Sequence, residues 1–159
     1  PWITRFGIHQ AKVSVGHFGS PDRMSFTAMG DGVNLASRLE GLNKQYGTRI
    51  LVSAAVEADA RGVFCFRRVD RVAVKGRHEG VEIFELLGAR GDVATLPEPL
   101  QRYERALEAY FEKRFDAALA LLDGCAGDPP GEVLAARCRQ FREEPPPADW
   151  DGVYAAREK

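Results

Sequence analysis

The apolar positions between residues 30 and 47 follow a helical period. At about 100° of rotation per residue, Leu35, Leu39, Leu42 and Tyr46 share one stripe. Asn34, Arg38, Gly41 and Gln45 share a second stripe, roughly a quarter turn away. The pattern predicts an amphipathic helix with a buried leucine side and a polar side. An amide and a guanidinium stand one turn apart on that polar side, starting in the first turn. Asp31 is the expected N-cap, with no following Glu to complete a capping box. Gly47 is the expected C-terminal stop.

Before this helix the pattern is that of strands. Ile3 to His9 predicts one strand, and Val13 to Val15 a short strand or turn. Gly19-Ser20-Pro21-Asp22 reads as a loop, and Met24 to Met29 as a short strand closed by Gly30. After the helix, Thr48 to Val52 is an unbroken β-branched and aliphatic run, hence a buried strand. Ser53 is placed to cap a short helix reaching Asp59. Phe64 to Val74 alternates imperfectly, which predicts a bulge near Arg67-Arg68. Residues 75–80 form a turn, and Val81, Ile83, Phe84 and Leu86 the returning strand.

Past Gly88 the texture changes. Gly88, Gly91, Pro97 and Pro99 mark a linker. Leu100, Tyr103, Leu107, Tyr110 and Phe111 then fit a 3.6-residue period, as do Phe115, Ala118, Leu119 and Leu122. A third helix, from about Gly131 to Arg142, ends before Pro145-Pro146-Pro147. Trp150 and Tyr154 are expected to dock rather than hang in a free tail. The chain divides into an α/β part over residues 1–90, a linker over 91–99 and an all-helical part over 100–159. The strands of the first part have too few helices, and nothing supplies a neighbour for the first strand.

Composition narrows the class. The 159 residues suit one domain, or a small domain with an appendage. A hydrophobic share of 45% and a charged share of 28% are those of a soluble globular chain. A net charge of -1 argues against a nucleic-acid partner held by bulk positive field. No apolar run is long enough for a membrane span. The chain starts without Met and reads as a piece of something longer. Cys65, Cys125 and Cys138 are odd in number and match no zinc spacing, so they read as reduced thiols of a cytosolic protein. His9, His17 and His78 are too scattered for a helical ligand pair and read as surface or packing residues.

Five motifs stand in one collinear run: Phe6-Gly7-Ile8-His9; Gly16-x-x-Gly19-Ser20; Arg23-x-x-Phe26-Thr27; Gly30-Asp31-x-Val33-Asn34-Leu35-Ala36-Ser37-Arg38-Leu39-Glu40; and Val74-Lys75-Gly76. From residue 3 to 88 the chain resembles the class III nucleotidyl cyclases, catalytic domains that turn ATP or GTP into the 3′,5′-cyclic monophosphate and pyrophosphate. The resemblance implies an α/β (α+β) fold: the C-terminal part of a ferredoxin-like cyclase domain, followed by a small all-helical tail. It also implies roles. Asn34 would orient the ribose, Arg38 would stabilise charge on the α-phosphate, and Lys75 would reach the terminal phosphates. Thr27 would read the purine, and Thr at that position leans towards ATP. The chemistry suits these residue types, because cyclising a polyanion is chiefly positioning plus electrostatics. Singly, each residue has an ordinary structural reading; the kept spacing joins them.

There are departures from the family pattern. Gln10-Ala11 stand where Thr-Gly is usual, Phe26 where Tyr is common and Gly32 where Thr is common. The family's first strand, helix and hairpin do not precede Pro1. They carry two metal-binding aspartates, a phosphate loop and a purine-site lysine. No metal ligand is therefore assigned. In the complete domain two divalent cations, Mg²⁺ or Mn²⁺, are implied, held by residues outside this chain. The family's site lies between protomers, which implies a homodimer. Residues 100–154 resemble the tetratricopeptide-like tail of many bacterial cyclases and are expected to pack on the catalytic part or on a partner. The reading is the C-terminal part of a cytoplasmic adenylate cyclase, inactive in isolation. The alternative is a non-catalytic, cyclase-like regulatory or protein-interaction module.

Overall fold

Strand β4 (Ile50–Ser53) is the aliphatic run Ile-Leu-Val-Ser, and it lies inside the main sheet. The computed structural model describes residues 2–20, 22–73, 80–92, 95–125 and 127–154. Ahead of β4 come β1 (Phe6–Ile8), β2 (Ser14–Ser20), β3 (Arg23–Met29) and α1 (Asp31–Tyr46). After it come α2 (Ala54–Ala60), β5 (Phe64–Val72), β6 (Val81–Ala89), α3 (Glu98–Phe111), α4 (Phe115–Leu122) and α5 (Pro129–Glu143). The four-stranded sheet has the order β1-β4-β6-β5, and β2-β3 form a separate two-stranded sheet. β1 runs parallel to β4, with Phe6 opposite Ile50, whereas β6 is antiparallel to both β4 and β5. The bulges predicted near Arg67-Arg68 occur as register shifts at Cys65/Phe66 and Arg68/Asp70.

The leucine stripe of α1 is buried as its period requires. Leu35, Leu39 and Tyr46 pack with Leu51, Val69, Val72 and Ile83 of the sheet, and Leu42, Val81 and Val133 border the cluster. Full burial of one such leucine is worth about 1.5–3 kcal/mol. α1 crosses β1 at Gly7, where an added Cβ would sit 2.1 Å from the Ala36 carbonyl oxygen. Only glycine fits there. Asn43, fully buried, donates from Nδ2 to the Phe6 and Leu39 carbonyls at 2.9 and 3.0 Å. Its Oδ1 accepts from the Thr48 hydroxyl at 2.9 Å. Gly47 ends the helix in the left-handed conformation, φ 65°, as its position predicts.

A second apolar core is built from α3, α4 and α5: Tyr103, Leu107, Tyr110, Phe115, Leu122 and Leu134, with Phe141 and Trp150 packed against it. Trp150 and Tyr154 do dock. Trp150 meets Tyr110 edge-on at 5.1 Å, and the Tyr154 hydroxyl donates to Gln140 Oε1 at 2.8 Å. These helices cover the outer edge of β5. Tyr103 Oη donates to the Val69 carbonyl at 2.5 Å, and the Arg68 N–H donates to Glu104 Oε1 at 3.2 Å. Backbone groups that an edge strand leaves open are thus satisfied by α3.

Several boundaries differ from the sequence reading. The first strand covers only Phe6–Ile8, because pairing with β4 ends at Val52. β2 is a seven-residue strand running through Gly16 to Ser20, whereas the sequence pattern predicts a short strand or turn over Val13 to Val15 and a loop from Gly19. Continuous pairing with β3, from Ser14 opposite Met29 to Ser20 opposite Arg23, overrides the local turn preference of those residues. Asp31 is the first helical residue, not the cap; Gly30, at φ 142°, holds the cap position with no side-chain bond. Ser53 occupies the cap of α2, but its side chain makes no capping bond. Its Oγ lies 2.7 Å from His9 Nδ1 instead. α5 begins at Pro129, because the Asp128 carboxylate accepts from the Gly131 N–H and caps the helix there.

Candidate active site

Two elements present the expected site residues. β3 carries Thr27, opposite Gly16 of β2. One residue, Gly30, joins β3 to α1, so Thr27 and the first turn of α1 lie on adjoining elements. Val33 and Asn34 donate their N–H groups to the Gly30 carbonyl at 3.1 and 3.4 Å, which fixes that first turn. Asn34 follows in it, and Arg38 one turn later. Thr27, Asn34 and Arg38 are all exposed, on the side of α1 away from its leucines. An amide next to a guanidinium fork on a rigid helix can orient a hydroxyl and grip phosphate oxygens. Lys75, the fourth expected residue, lies outside the described residues; the strands flanking it pair up to Val72 opposite Val81.

The floor under this helix start is tight. A Cβ added to Gly32 would lie 2.6 Å from the Cβ of Ala11, 3.5 Å from His9 Cδ2 and 3.7 Å from Val13 Cγ1. His9 is therefore a packing residue wedged between α1 and the Ser53 hydroxyl. Beyond it, β1 and the β2-β3 hairpin leave Phe6, Ile8, Val15, Phe26 and Met29 exposed. β1 pairs on one side only, with no strand on its other side among the described residues.

The far end of α1 ends in a buried polar cluster that sequence reasoning missed. Tyr46 Oη donates to Asp70 Oδ2. Arg137 of α5 donates to Asp70 Oδ2 at 2.5 Å and to Tyr46 Oη at 2.9 Å. The Arg71 N–H donates to Asp70 Oδ1 at 2.7 Å. Burial and the adjacent Asp70 carboxylate push the Tyr46 hydroxyl well above its ordinary range. Burial opposes the charge on Arg137, but Asp70 and Tyr46 outweigh it, so its pKa is raised. The Arg137 guanidinium also lies 4.3 Å from the Tyr154 ring centroid. A second buried arginine repeats the arrangement. Arg67 Nε donates to Glu85 Oε2 at 2.6 Å, and its Nη1 donates to both Asp128 oxygens at 2.8 and 2.9 Å. The one available signal was Asp70 itself, a carboxylate inside a strand whose neighbours Val69 and Val72 are buried.

Among the described residues, no group of three or more His, Cys, Asp or Glu side chains is gathered where it could hold a metal ion. No described helix is long and apolar enough to cross a membrane.

Comparison with known proteins bears on the same residues. The family described as "Adenylate and Guanylate cyclase catalytic domain" matches residues 3–88. Adenylate cyclase 1 of Rhizobium meliloti (strain 1021) is 48% identical over 92 residues, covering 58% of this chain and 14% of that protein. The terminal-differentiation specific adenylate cyclase of Dictyostelium discoideum is 37% identical over 146 residues, covering 86% of this chain and 7% of that protein. The latter match necessarily runs into the helices beyond Pro97. The chain thus spans a small fraction of these relatives' length. Among solved structures, the adenylyl cyclase CyaB from P. aeruginosa aligns with a TM-score of 0.47 and 35% identity, covering 56% of this chain and 44% of that one.

Proposed function

The chain belongs to the adenylate and guanylate cyclase catalytic domain family, and from that premise we propose that it is the C-terminal part of an adenylate cyclase. The reaction is attack of the ribose 3′ oxygen on the α-phosphorus of ATP, which forms the cyclic ester and expels pyrophosphate. One observation carries the reading. Asn34 and Arg38 stand one turn apart on the exposed side of a helix whose other side is locked to the sheet, with Thr27 on the adjoining strand. In this reading Asn34 holds the ribose, and Arg38 meets charge on the α-phosphate as it grows in the transition state. Thr27 reads the adenine edge, and Lys75 neutralises the terminal phosphates as a mobile point charge.

The site is half of a whole. Divalent cations, Mg²⁺ or Mn²⁺, belong to the proposed reaction, but the described residues do not gather ligands for them. As the resemblance implies, the metal-binding side is read as coming from residues outside this chain, and a second copy as completing the site in a homodimer. The exposed apolar residues of β1 and the hairpin suit such a covered surface. α3–α5 are read as a tetratricopeptide-like tail, and the catalytic part as cytoplasmic, where ATP is available.

The test is direct. The full-length protein, supplied with ATP or GTP and Mg²⁺ or Mn²⁺, should form cyclic AMP and pyrophosphate, with ATP preferred. The 159-residue chain alone should form neither. No cyclic nucleotide from the full-length protein under any of these conditions would overturn the reading in favour of a non-catalytic, cyclase-like regulatory module. Gln10-Ala11, in place of the family's usual pair, is the feature that favours that second reading.

A further inference from the structure

We infer that Tyr46, Asp70 and Arg137 are positioning residues: they fix the end of α1, and through it the placement of Asn34 and Arg38, so that the helical tail sets the geometry of the site. The inference rests on the catalytic reading of α1 given above.

α1 lies on the sheet through a leucine stripe, and apolar contacts are not directional. Beyond its first turn, the helix is fixed along and around its axis by polar or close contacts, of which three bear on the polar side. At the first, β1 passes against the backbone of Ala36 and Glu40 with no room for a Cβ on Gly7. At the second, Asn43 Nδ2 donates to the Phe6 carbonyl at 2.9 Å. The third is the hydroxyl of Tyr46, held between Asp70 of β5 and Arg137 of α5.

Only the third point reaches beyond residue 97. Arg137 lies in the middle of α5, and Val133, one turn earlier, packs against the α1 core. α5 therefore holds α1 through an apolar and a polar contact. Tyr46 follows Arg38 by eight residues, or about 12 Å along a rigid helix. A shift at Tyr46 is carried to Arg38 with little loss. Displacement of about 1 Å at a reacting centre can cost on the order of a hundredfold in rate.

Tyr46→Phe is the discriminating variant. It removes the hydroxyl that links α1 to the cluster and leaves the Asp70–Arg137 ion pair intact. In the full-length protein it should lower kcat by about tenfold and shift KM for ATP by less than about twofold. The melting temperature should fall by only the few degrees that one unpaired Arg137 donor costs. Arg137→Met should lower kcat further, and Arg137→Lys should recover part of it. Amide exchange gives a readout that needs no turnover: residues 34–46 should exchange faster in Tyr46→Phe while β6 stays unchanged. If Tyr46→Phe and Arg137→Met lower the melting temperature but leave kcat and α1 exchange at parental values, the cluster is structural only and the inference is overturned. If the parent protein makes no cyclic nucleotide, the cyclase reading fails instead. The exchange measurement then decides this inference alone, and unchanged exchange of residues 34–46 overturns it.

Discussion

Ala11 and Gly32 occupy one another's space: a Cβ built on Gly32 would lie 2.6 Å from the Cβ of Ala11. These are two of the positions at which the chain departs from the pattern it resembles, where Gly and Thr are usual. The structure joins them into one exchange. The methyl group that Ala11 adds fills the volume that a residue at position 32 would need.

The pair should therefore be non-additive. Gly32→Ala is expected to destabilise by about 1–3 kcal/mol through overpacking, despite the better helix propensity of Ala. Ala11→Gly in the same molecule should recover most of that loss. Chemical denaturation of the two single variants and the double variant measures the coupling. Simple additivity would show that the loop bearing Ala11 yields freely.

Arg38→Ala in the full-length protein should lower kcat by about 10²–10³, the range for removing one preorganised donor to a developing oxyanion. KM for ATP should move far less. A loss confined to KM would instead assign Arg38 to ground-state binding.

Thr27→Ala should narrow the preference for ATP over GTP, because the hydroxyl on β3 is the group placed to read the purine edge. The ratio of kcat/KM for the two nucleotides is the measurement. An unchanged ratio removes Thr27 from purine selection.

Ending the chain at residue 97 should abolish cooperative folding. Asp70 would lose Arg137, and Arg67 would lose Asp128 while keeping Glu85. The apolar faces that α3 and α5 cover would also open to water, at about 25 cal/mol per Å² of apolar surface, set against the roughly 5–15 kcal/mol total stability of a domain. The edge of β5 would also lose Tyr103 and Glu104. A soluble 1–97 fragment with a sharp thermal transition would contradict this.

Stability should fall on the alkaline side. Burial pushes the Cys138 thiol up to about 12, whereas an unfolded thiol titrates near 8.5. Between those values the native state keeps a proton that the unfolded state has released, so rising pH favours unfolding. The slope is about 1.4 kcal/mol per pH unit for one proton. Tyr46 and Tyr103, both raised by burial, act in the same direction. Denaturation midpoints should drop from about pH 9 upward. Cys138→Ala should start lower but decline less steeply; an equal slope would exclude the thiol.

Much of the candidate site's placement was legible because it is local. Asn34 and Arg38 are four residues apart on one helix, and the period that buries Leu35 and Leu39 leaves them outside. Thr27 is on the strand that enters that helix. The hairpin was less legible. Gly19 and Ser20 read as loop residues, and only pairing with β3 shows that they lie within a strand. Caps failed for a similar reason. Asp31 and Ser53 have the right chemistry for capping, but the backbone at Gly30 and the reach of His9 decided otherwise.

The sequence by itself determined the amphipathic helix α1, its buried leucines and the polar pair it presents, because side-chain period along a helix is a local property. It also determined the family, through motif spacing from residue 3 to 88. The tertiary structure alone decided what holds that helix in place. Asp70 and Arg137 are 67 residues apart in the chain, and Arg67 and Asp128 are 61 apart. No local pattern says which of the 22 basic residues will meet which of the 23 acidic ones. That choice is made when α5 docks against α1 and β5, where a buried charge is tolerated only opposite its partner.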